Sequence, residues 1–229
     1  LMAFYRKHEG NTDLIFYTMG ISDKDIQRFA IFTTKHGIPE NICIDVANGY
    51  LPRLHEIVSN VREMCPDSII MAGNVVTGDA VYALIQAGAS IVKVGIGSGS
   101  ACTTRRLTGV GRPQLSAIID CANVAHGMNA LICADGGCVH PSHVSKAIGA
   151  GADFVMLGGM LAGHDECGGK RVSSQEPIMV EEEYYDAVAG EPKTRMVQKG
   201  TWVPNERYGQ RDDGSYIALH LDGEFEEII

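Results

Sequence analysis

The chain has 229 residues, of which 45% are hydrophobic, and its formal net charge is −9 at pH 7. This hydrophobic fraction excludes a disordered chain, and the length suits one large α/β domain. The 19 Lys and Arg against 28 Asp and Glu leave no basic excess of the kind that binds nucleic acid. No apolar stretch approaches the roughly 20 residues that cross a bilayer, and no secretory leader opens the chain. We therefore expect a cytoplasmic protein that binds neither nucleic acid nor membranes.

Cysteine usage also points to a reducing compartment. The seven cysteines are an odd number without a CxxC pair, which argues against a disulfide framework or a structural zinc site. Most of them lie in apolar segments, where a free cysteine is a small core residue. At least one of them needs another explanation.

The predicted strands are short apolar runs, each followed by a glycine-rich or polar turn and then an amphipathic helix. They cover residues 14–19, 41–47, 68–76, 91–96, 131–135 and 153–158. Apolar stripes at helical spacing follow the runs, for example Leu54, Ile57, Val58 and Val61. Repeated βα units of this kind give parallel strands, as in a doubly wound sheet or a (β/α)8 barrel.

Polar and glycine residues at the C-terminal ends of these strands favour the barrel. Asp45, Asn74, Gly97 and Asp135 hold such positions, which meet on one face of a barrel. No G-x-G-x-x-G motif opens the chain, as it would in a Rossmann domain. We predict a (β/α)8 TIM barrel that lacks its first strand or strands, with a further candidate strand at residues 2–6.

The βα rhythm stops near residue 169. The sequence beyond it is more charged, and its tyrosines stand among polar residues. We predict that residues 1–169 form the catalytic barrel and that residues 170–229 form a flap or small β extension of the same domain.

The segment from Val94 to Arg105, VGIGSGSACTTR, is the strongest chemical signal in the sequence. Its alternating glycines let the backbone approach a ligand closely. Backbone N–H groups and Ser100 could hold an anion, and carbonyl groups could coordinate a monovalent cation. Cys102 is placed to act as a thiolate nucleophile near Arg105. A buried cysteine in a tight turn is the alternative, and spacing alone does not decide between them.

Two glycine pairs follow the ends of later strands. Asp135 precedes Gly136 and Gly137, and Gly158 precedes Gly159. On successive βα units the two pairs favour a phosphate site, with the Asp135 carboxylate available for hydroxyl groups. Two unrelated glycine turns are the alternative.

Asp45 ends another predicted strand. Its carboxylate could accept hydrogen bonds from a ribose, or it could cap the following helix through an Asx turn. The residues by themselves favour the cap.

Four stretches resemble the IMP dehydrogenase/GMP reductase family, and in particular its reductase branch. They are CIDVANGY (43–50), IMAGNVVTGDA (70–80), IVKVGIGSGSACTTRRLTGVGRPQLSAII (91–119) and ADGGCVHPSHVSKAIGAGADFVMLGGMLAGHDECGG (134–169). The resemblance implies a (β/α)8 barrel, usually tetrameric, that reductively deaminates GMP to IMP and ammonia with NADPH. It also implies a monovalent cation, K⁺, beneath the nucleophile loop.

The resemblance assigns site residues to four sets. The catalytic set is Cys102, Thr104 and Glu191. The substrate set is Ser100, Asp135, Gly136, Gly137, Gly158 and Gly159. The cofactor set is Lys7, Asp45, Val46, Ala47, Ile96 and Gly97. The cation set is Gly97, Gly99, Cys102 and Arg105.

In this interpretation Cys102 attacks the 2-position of the purine and forms a covalent thioimidate, while Thr104 and Glu191 handle the proton transfer. Glu191 is assigned from the stretch GEPKT (190–194), where proline replaces a glycine of the family's flap. The family's base-binding segment and closing helices have no recognisable counterpart after residue 169. Two other functions stay open, an IMP dehydrogenase-type oxidation and purine-nucleotide binding without turnover.

Overall fold

The structure is a computed structural model of the chain. It describes residues 9–99, 102–161, 170–172, 179–186, 191–198, 206–210, 216–219 and 225–228. The chain divides into two compact units, Leu1–Gly158 and Gly159–Ile229. None of the helices in the described ranges is long and apolar enough to cross a membrane.

A parallel sheet of six strands, arranged in sequence order, forms the first unit. The strands are β1 (Phe16–Met19), β2 (Asn41–Asp45), β3 (Ile69–Val75), β4 (Ile91–Val94), β5 (Leu131–Asp135) and β6 (Phe154–Met156). The helices are α1 (Asp23–His36), α2 (Pro52–Met64), α3 (Gly78–Gln86), α4 (Thr104–Thr108), α5 (Gln114–Gly127) and α6 (Pro141–Gly149), with a short 3-10 helix at Glu9–Leu14. A second 3-10 helix, Gly159–Leu161, begins the second unit. A doubly wound sheet reverses its strand order, whereas this order never reverses, as in a barrel. All six predicted strands are confirmed.

Both faces of β2 to β5 are buried, which explains why these strands are almost continuous apolar runs. Alternate residues of a strand point to opposite faces. On β2, Ile42 and Ile44 join the large core formed with the helices. The residue between them, Cys43, joins a second cluster that contains Met71 and Cys133. This second cluster lies on the face that a barrel encloses.

Local signals set the limits of α1. Ser22 and Asp25 form a capping box, in which each side chain accepts the other residue's backbone N–H at 3.2 Å. Gly37 ends the helix with a φ of 80°. The helix is anchored by Phe32, whose ring centroid lies 4.5 Å from that of Tyr17 on β1.

The described strands of the second unit are antiparallel. They are β7 (Lys170–Val172), β8 (Met179–Asp186), β9 (Glu191–Gln198), β10 (Glu206–Gln210), β11 (Tyr216–Leu219) and β12 (Phe225–Ile228). They form a four-stranded sheet in the order β12-β11-β10-β7 and the hairpin β8-β9. The role of this tail as a flap stays a prediction, and the candidate strand at residues 2–6 lies outside the described residues.

Candidate active site

A cleft with a volume of about 300 Å³ lies at the C-terminal ends of β2 to β5. Its lining includes eight residues to which the sequence analysis gave a site role: Asp45, Val46, Ala47, Ile96, Gly97, Cys102, Thr104 and Asp135. Asn74, Lys93 and Gly95 complete it. Residues with predicted catalytic, cofactor-binding and substrate-binding roles therefore line one cleft.

Cys102 is exposed, and its Sγ lies 3.2 Å from Oγ1 of Thr104, to which the thiol can donate. The backbone N–H of Cys102 donates to the carbonyl of Gly99 at 3.0 Å, which forms a tight turn in the loop. Since the side chain reaches solvent, the interpretation of Cys102 as a buried core residue is wrong. An exposed thiol beside a hydroxyl group can act as a nucleophile.

The other described cysteines have a different environment. Burial raises the pKa of Cys43 to about 11 and the pKa values of Cys121 and Cys133 to about 12. Burial also raises the pKa values of Cys65 and Cys138. Such thiols are almost fully protonated at neutral pH and are poor nucleophiles. The prediction that most cysteines are core residues is confirmed for the four that are buried, Cys43, Cys65, Cys121 and Cys133.

The glycines after β4 permit a backbone path that other residues would block. Gly95 has a φ of 148°, and a Cβ there would lie 2.1 Å from the carbonyl oxygen of Asp135. Gly97 has a φ of 66°, and a Cβ there would lie 2.5 Å from Cγ of Arg105. Both positions therefore need glycine for its conformation and for its lack of a side chain.

Side-chain hydrogen bonds tie this loop to the end of β5. Ser98 Oγ donates to the carbonyl oxygen of Asp135 at 2.6 Å. Gln114 Nε2 donates to the same oxygen at 3.2 Å and to the carbonyl of Val94 at 2.8 Å. These bonds hold the loop of Cys102 beside the strand that carries Asp135.

A buried lysine joins two carboxylates at the floor of the cleft. The Lys93 side chain is 4% exposed, and its Nζ lies 2.7 Å from Asp45 Oδ1 and 2.9 Å from Asp135 Oδ2. Burial by itself lowers the pKa of Lys93, but the hydrogen bonds and charges of the two aspartates outweigh burial and raise that pKa. Lys93 is therefore a cation at neutral pH.

Asp45 does not cap the helix that follows it. The residue before α2 is Leu51, and no side chain caps that helix. Asn48 makes the Asx turn in this loop, since its Oδ1 accepts the backbone N–H of Tyr50 at 3.1 Å. The cap interpretation of Asp45 is wrong, because its carboxylate pairs with Lys93 and lines the cleft.

Asn74, on β3, donates a hydrogen bond to Asp135 on β5. Its Nδ2 donates to Asp135 Oδ2 at 2.8 Å and to the carbonyl of Gly95 at 2.7 Å. Its own Oδ1 is buried and has no hydrogen-bond partner among the described residues. Lys93 and Asn74 thus both donate to Oδ2 of Asp135, and Oδ1 accepts no hydrogen bond from the described residues.

A family profile described as "IMP dehydrogenase / GMP reductase domain" matches residues 7–226. The chain belongs to this family. The resemblance carried by the four sequence stretches is therefore confirmed, and the profile match extends into the tail.

Named relatives and solved structures agree with the family match. The GMP reductases of Phytophthora infestans and Vibrio cholerae are 52% and 57% identical over 170 and 158 residues, which is 74% and 69% of this chain. A GMP reductase structure from Trypanosoma brucei gives a TM-score of 0.63 at 38% identity, covering 67% of this chain and 35% of that chain. Another, in complex with guanosine 5'-monophosphate, gives 0.65 at 31% identity, covering 80% and 42%. These matches confirm the prediction of a partial barrel.

The chain spans about half the length of the curated relatives that it matches, namely 47% and 46% of the two named above. A sheet of six parallel strands is accordingly part of a (β/α)8 barrel in this family member.

The glycines predicted to bind phosphate follow two neighbouring strands of the family's barrel. Gly136 and Gly137 follow β5 with φ values of 85°, and Gly158 follows β6, which pairs with β5. A Cβ on Gly136 would lie 2.6 Å from Ser98 Oγ, whereas a Cβ on Gly158 would meet nothing within 4 Å. Gly159 begins a 3-10 helix. Their role in phosphate binding stays a prediction.

Three of the backbone positions predicted to bind a cation, Gly97, Gly99 and Cys102, lie on the loop after β4, and the fourth, Arg105, lies in α4. Their role in cation binding stays a prediction. The carbonyl of Gly99 accepts the N–H of Cys102 at 3.0 Å, and that of Arg105 accepts the N–H of Gly109 at 3.1 Å. A carbonyl oxygen has two lone pairs, so each can accept one hydrogen bond and also coordinate a cation. The Arg105 side chain packs over Gly97, which brings the two ends of the loop together.

Some predicted site residues fall outside what the structure describes. Lys7 and Ser100 lie outside the described residues. Glu191 begins β9, where it is paired with Asp186, but its side chain is outside the described part. Their predicted roles in cofactor binding, phosphate binding and proton transfer stay predictions.

Sequence reasoning gave no role to Lys93, Ser98 or Gln114, and it placed Asn74 only at a strand end on the face that carries the site. A signal existed for Lys93, because a lysine inside a buried apolar run requires partners. Ser98 and Gln114 bind backbone carbonyl groups of other segments. No pattern of residue types in the sequence predicts such contacts.

Proposed function

We propose that the protein catalyses the NADPH-dependent reductive deamination of GMP to IMP and ammonia. The observation that carries the proposal is the exposed thiol of Cys102, 3.2 Å from the Thr104 hydroxyl and in one cleft with Asp135. The relatives named GMP reductase, and the similar structure in complex with guanosine 5'-monophosphate, support this substrate.

Cys102 supplies the nucleophile. Its thiolate attacks C2 of the purine, the exocyclic amino group leaves as ammonia, and a thioimidate joins Sγ to C2. After C2 has been reduced, the carbon–sulfur bond breaks, IMP leaves and the thiolate is regenerated. The covalent intermediate divides one difficult substitution into two easier steps.

Thr104 handles the proton. Its hydroxyl oxygen, 3.2 Å from Sγ, can accept the thiol proton and pass a proton to the departing amine. A threonine hydroxyl is a weak base at neutral pH, so this role requires a carboxylate partner. Glu191, at the start of β9, is the proposed partner.

The ribose and phosphate would be held at the ends of β5 and β6. Oδ1 of Asp135 would accept hydrogen bonds from ribose hydroxyl groups, since Oδ2 already binds Lys93 and Asn74. The backbone N–H groups of the glycine-rich turns would hold the phosphate. These turns contain Gly136, Gly137, Gly158 and Gly159. Ser100, on the loop after β4, is proposed to bind the same phosphate.

The residues on the Asp45 side of the cleft fit a nicotinamide cofactor. They line the same cleft as Cys102, so a ring bound there would lie beside the reacting carbon. When bound, NADPH supplies the hydride that reduces C2. The residues of this cleft that would hold it are Asp45, Val46, Ala47, Ile96 and Gly97, and Lys7, which lies outside the described residues, is proposed to join them.

Carbonyl oxygens of the Cys102 loop would hold K⁺. Hard cations prefer oxygen ligands, and this loop offers them from its backbone. The bound cation would fix the path of the loop and therefore the position of Sγ. Its ligands would be Gly97, Gly99, Cys102 and Arg105.

We also propose a setting for this activity. By resemblance to its family, the protein would act in purine nucleotide interconversion in the cytoplasm, as a homotetramer. The net charge of −9 supports the absence of a nucleic-acid partner.

The direct test mixes the purified full-length protein with GMP and NADPH. We expect a GMP-dependent loss of absorbance from the reduced cofactor, with an equal amount of ammonia released. Formation of XMP from IMP and NAD⁺, without GMP-dependent NADPH oxidation, would instead indicate an IMP dehydrogenase-type enzyme. GMP binding without either reaction would indicate a nucleotide-binding protein, and either result would overturn the proposal.

A further inference from the structure

Lys93 connects two carboxylates that are assigned to different ligands. Asp45 lies on the side proposed for the cofactor, and Asp135 is the proposed ribose contact. We propose that Lys93 is a positioning residue that orients Asp45 for the cofactor and Asp135 for the nucleotide at the same time. This inference rests on the proposed function for the identity of the two ligands.

The register of the sheet explains how one side chain reaches both aspartates. Asp45 on β2 is paired with Gly73 on β3, and Gly73 is paired with Lys93 on β4. A Cβ on Gly73 would lie 2.7 Å from Cβ of Lys93, so any larger residue there would obstruct the lysine. With glycine between them, the long lysine side chain crosses β3 and meets Asp45.

Lys93 also reaches Asp135, which lies on β5, on the opposite side of β4 from Asp45. Lys93 is paired with Cys133 on β5, and Asp135 lies two residues further along that strand, on the same face. Lys93 Nζ therefore stands between the ends of β2 and β5, at 2.7 Å from one carboxylate and 2.9 Å from the other.

Exposure indicates that Lys93 acts through its partners. The lysine side chain is 4% exposed, whereas those of Asp135 and Asp45 are 25% and 44% exposed. The ammonium group thus lies at the floor of the cleft, and the carboxylates extend further towards solvent. A ligand would touch the aspartates, and the lysine would determine which oxygens they present.

The contacts are specific for individual oxygen atoms. Lys93 binds Oδ1 of Asp45 and Oδ2 of Asp135, and Asn74 also donates to Oδ2 of Asp135. The oxygens left for ligands are Oδ2 of Asp45 and Oδ1 of Asp135. Without the lysine, Asp45 loses the donor that fixes its rotation, Asp135 keeps only the donor from Asn74, and the two carboxylates repel each other across the gap.

The test is calorimetric titration of the full-length protein with GMP alone and with NADPH alone, which yields a Kd and a number of sites for each ligand. For Lys93→Met we expect both Kd values to rise by about tenfold or more, the usual effect of losing charge-assisted hydrogen bonds. The number of sites should stay unchanged. Asp45→Asn should weaken only NADPH, and Asp135→Asn should weaken only GMP.

Two further variants control for folding and charge. Lys35→Met removes an exposed lysine of α1 and should leave both Kd values unchanged. Lys93→Met/Asp45→Asn removes one of the two carboxylates that would otherwise face each other without a cation. Compared with Asp45→Asn alone, it should still bind GMP about tenfold more weakly.

A purely structural lysine would give a different result. Lys93→Met would then show fewer sites with unchanged Kd values, and that would overturn the inference, as would a loss confined to one ligand. The proposed function fails separately, if the wild-type protein binds both ligands without GMP-dependent NADPH oxidation. Failure of the wild-type protein to bind either ligand would overturn both.

Discussion

Cysteines inside the strands of the parallel sheet and the cysteine on the loop after β4 have different environments. Cys43 and Cys133 lie inside β2 and β5, and burial raises their pKa values to about 11 and about 12. Two residues further along the same strands stand Asp45 and Asp135, both of which line the cleft. Cys102, on the loop after β4, is exposed and hydrogen-bonded to a hydroxyl group. A thiol group is thus protonated and enclosed inside the sheet, whereas the thiol on the loop after β4 is accessible for chemistry.

The difference teaches that position along a strand, rather than residue type, determines chemical role in this fold. The middle of each strand from β2 to β5 is enclosed on both faces and contributes to stability. The C-terminal end opens to solvent, where polar groups can meet a ligand. Each prediction below compares the exposed thiol with a buried one.

The largest effect is expected for Cys102→Ala. Removing the nucleophile should lower the rate of GMP-dependent NADPH oxidation by at least about a thousandfold, because no covalent intermediate can form. The GMP Kd, measured by calorimetry, should stay near the wild-type value.

The matched control is Cys133→Ala, which removes a buried thiol and should keep most of the rate in the folded protein. If Cys102→Ala retained a rate within about tenfold of wild type, the covalent mechanism would be refuted for this protein.

A large difference is also expected in alkylation by iodoacetamide at neutral pH. Cys102 should react at least about a hundredfold faster than Cys43, Cys121 and Cys133, because a raised pKa leaves little thiolate and burial blocks the reagent. Peptide mass spectrometry over a time course measures each rate. In denaturant the rates should converge, and equal rates in the folded protein would contradict the comparison.

The smallest effect is expected in stability. Cys133→Ser places a hydroxyl group in an apolar cluster and should lower the free energy of unfolding by about 1–3 kcal/mol. Cys102→Ser should change it by less than about 0.5 kcal/mol, since that side chain is exposed. Urea denaturation measures both free energies. Similar losses of stability for the two variants would show that the loop of Cys102 is packed as tightly as the interior of β5, which would contradict the comparison.

The sequence predicts the strands well because each is a short run that is buried on both faces, as β2 and β4 illustrate. The glycine-rich loop made Cys102 a candidate and the resemblance to the family added Thr104, and both residues line the cleft, while their catalytic roles stay predictions. It does not predict the partner of Asp45, since Lys93 is 48 positions away and reaches it only because Gly73 lies between them. The same limit explains the incorrect helix-cap interpretation, which considered only neighbours in sequence.

The most direct test of the account is to detect the covalent intermediate. The full-length protein is mixed with GMP, quenched rapidly in acid and digested, and the cysteine peptides are examined by mass spectrometry. The account predicts an adduct with the mass of GMP less ammonia on the peptide that contains Cys102 and on no other cysteine. Steady turnover with no adduct on Cys102, or an adduct on a different cysteine, would contradict it.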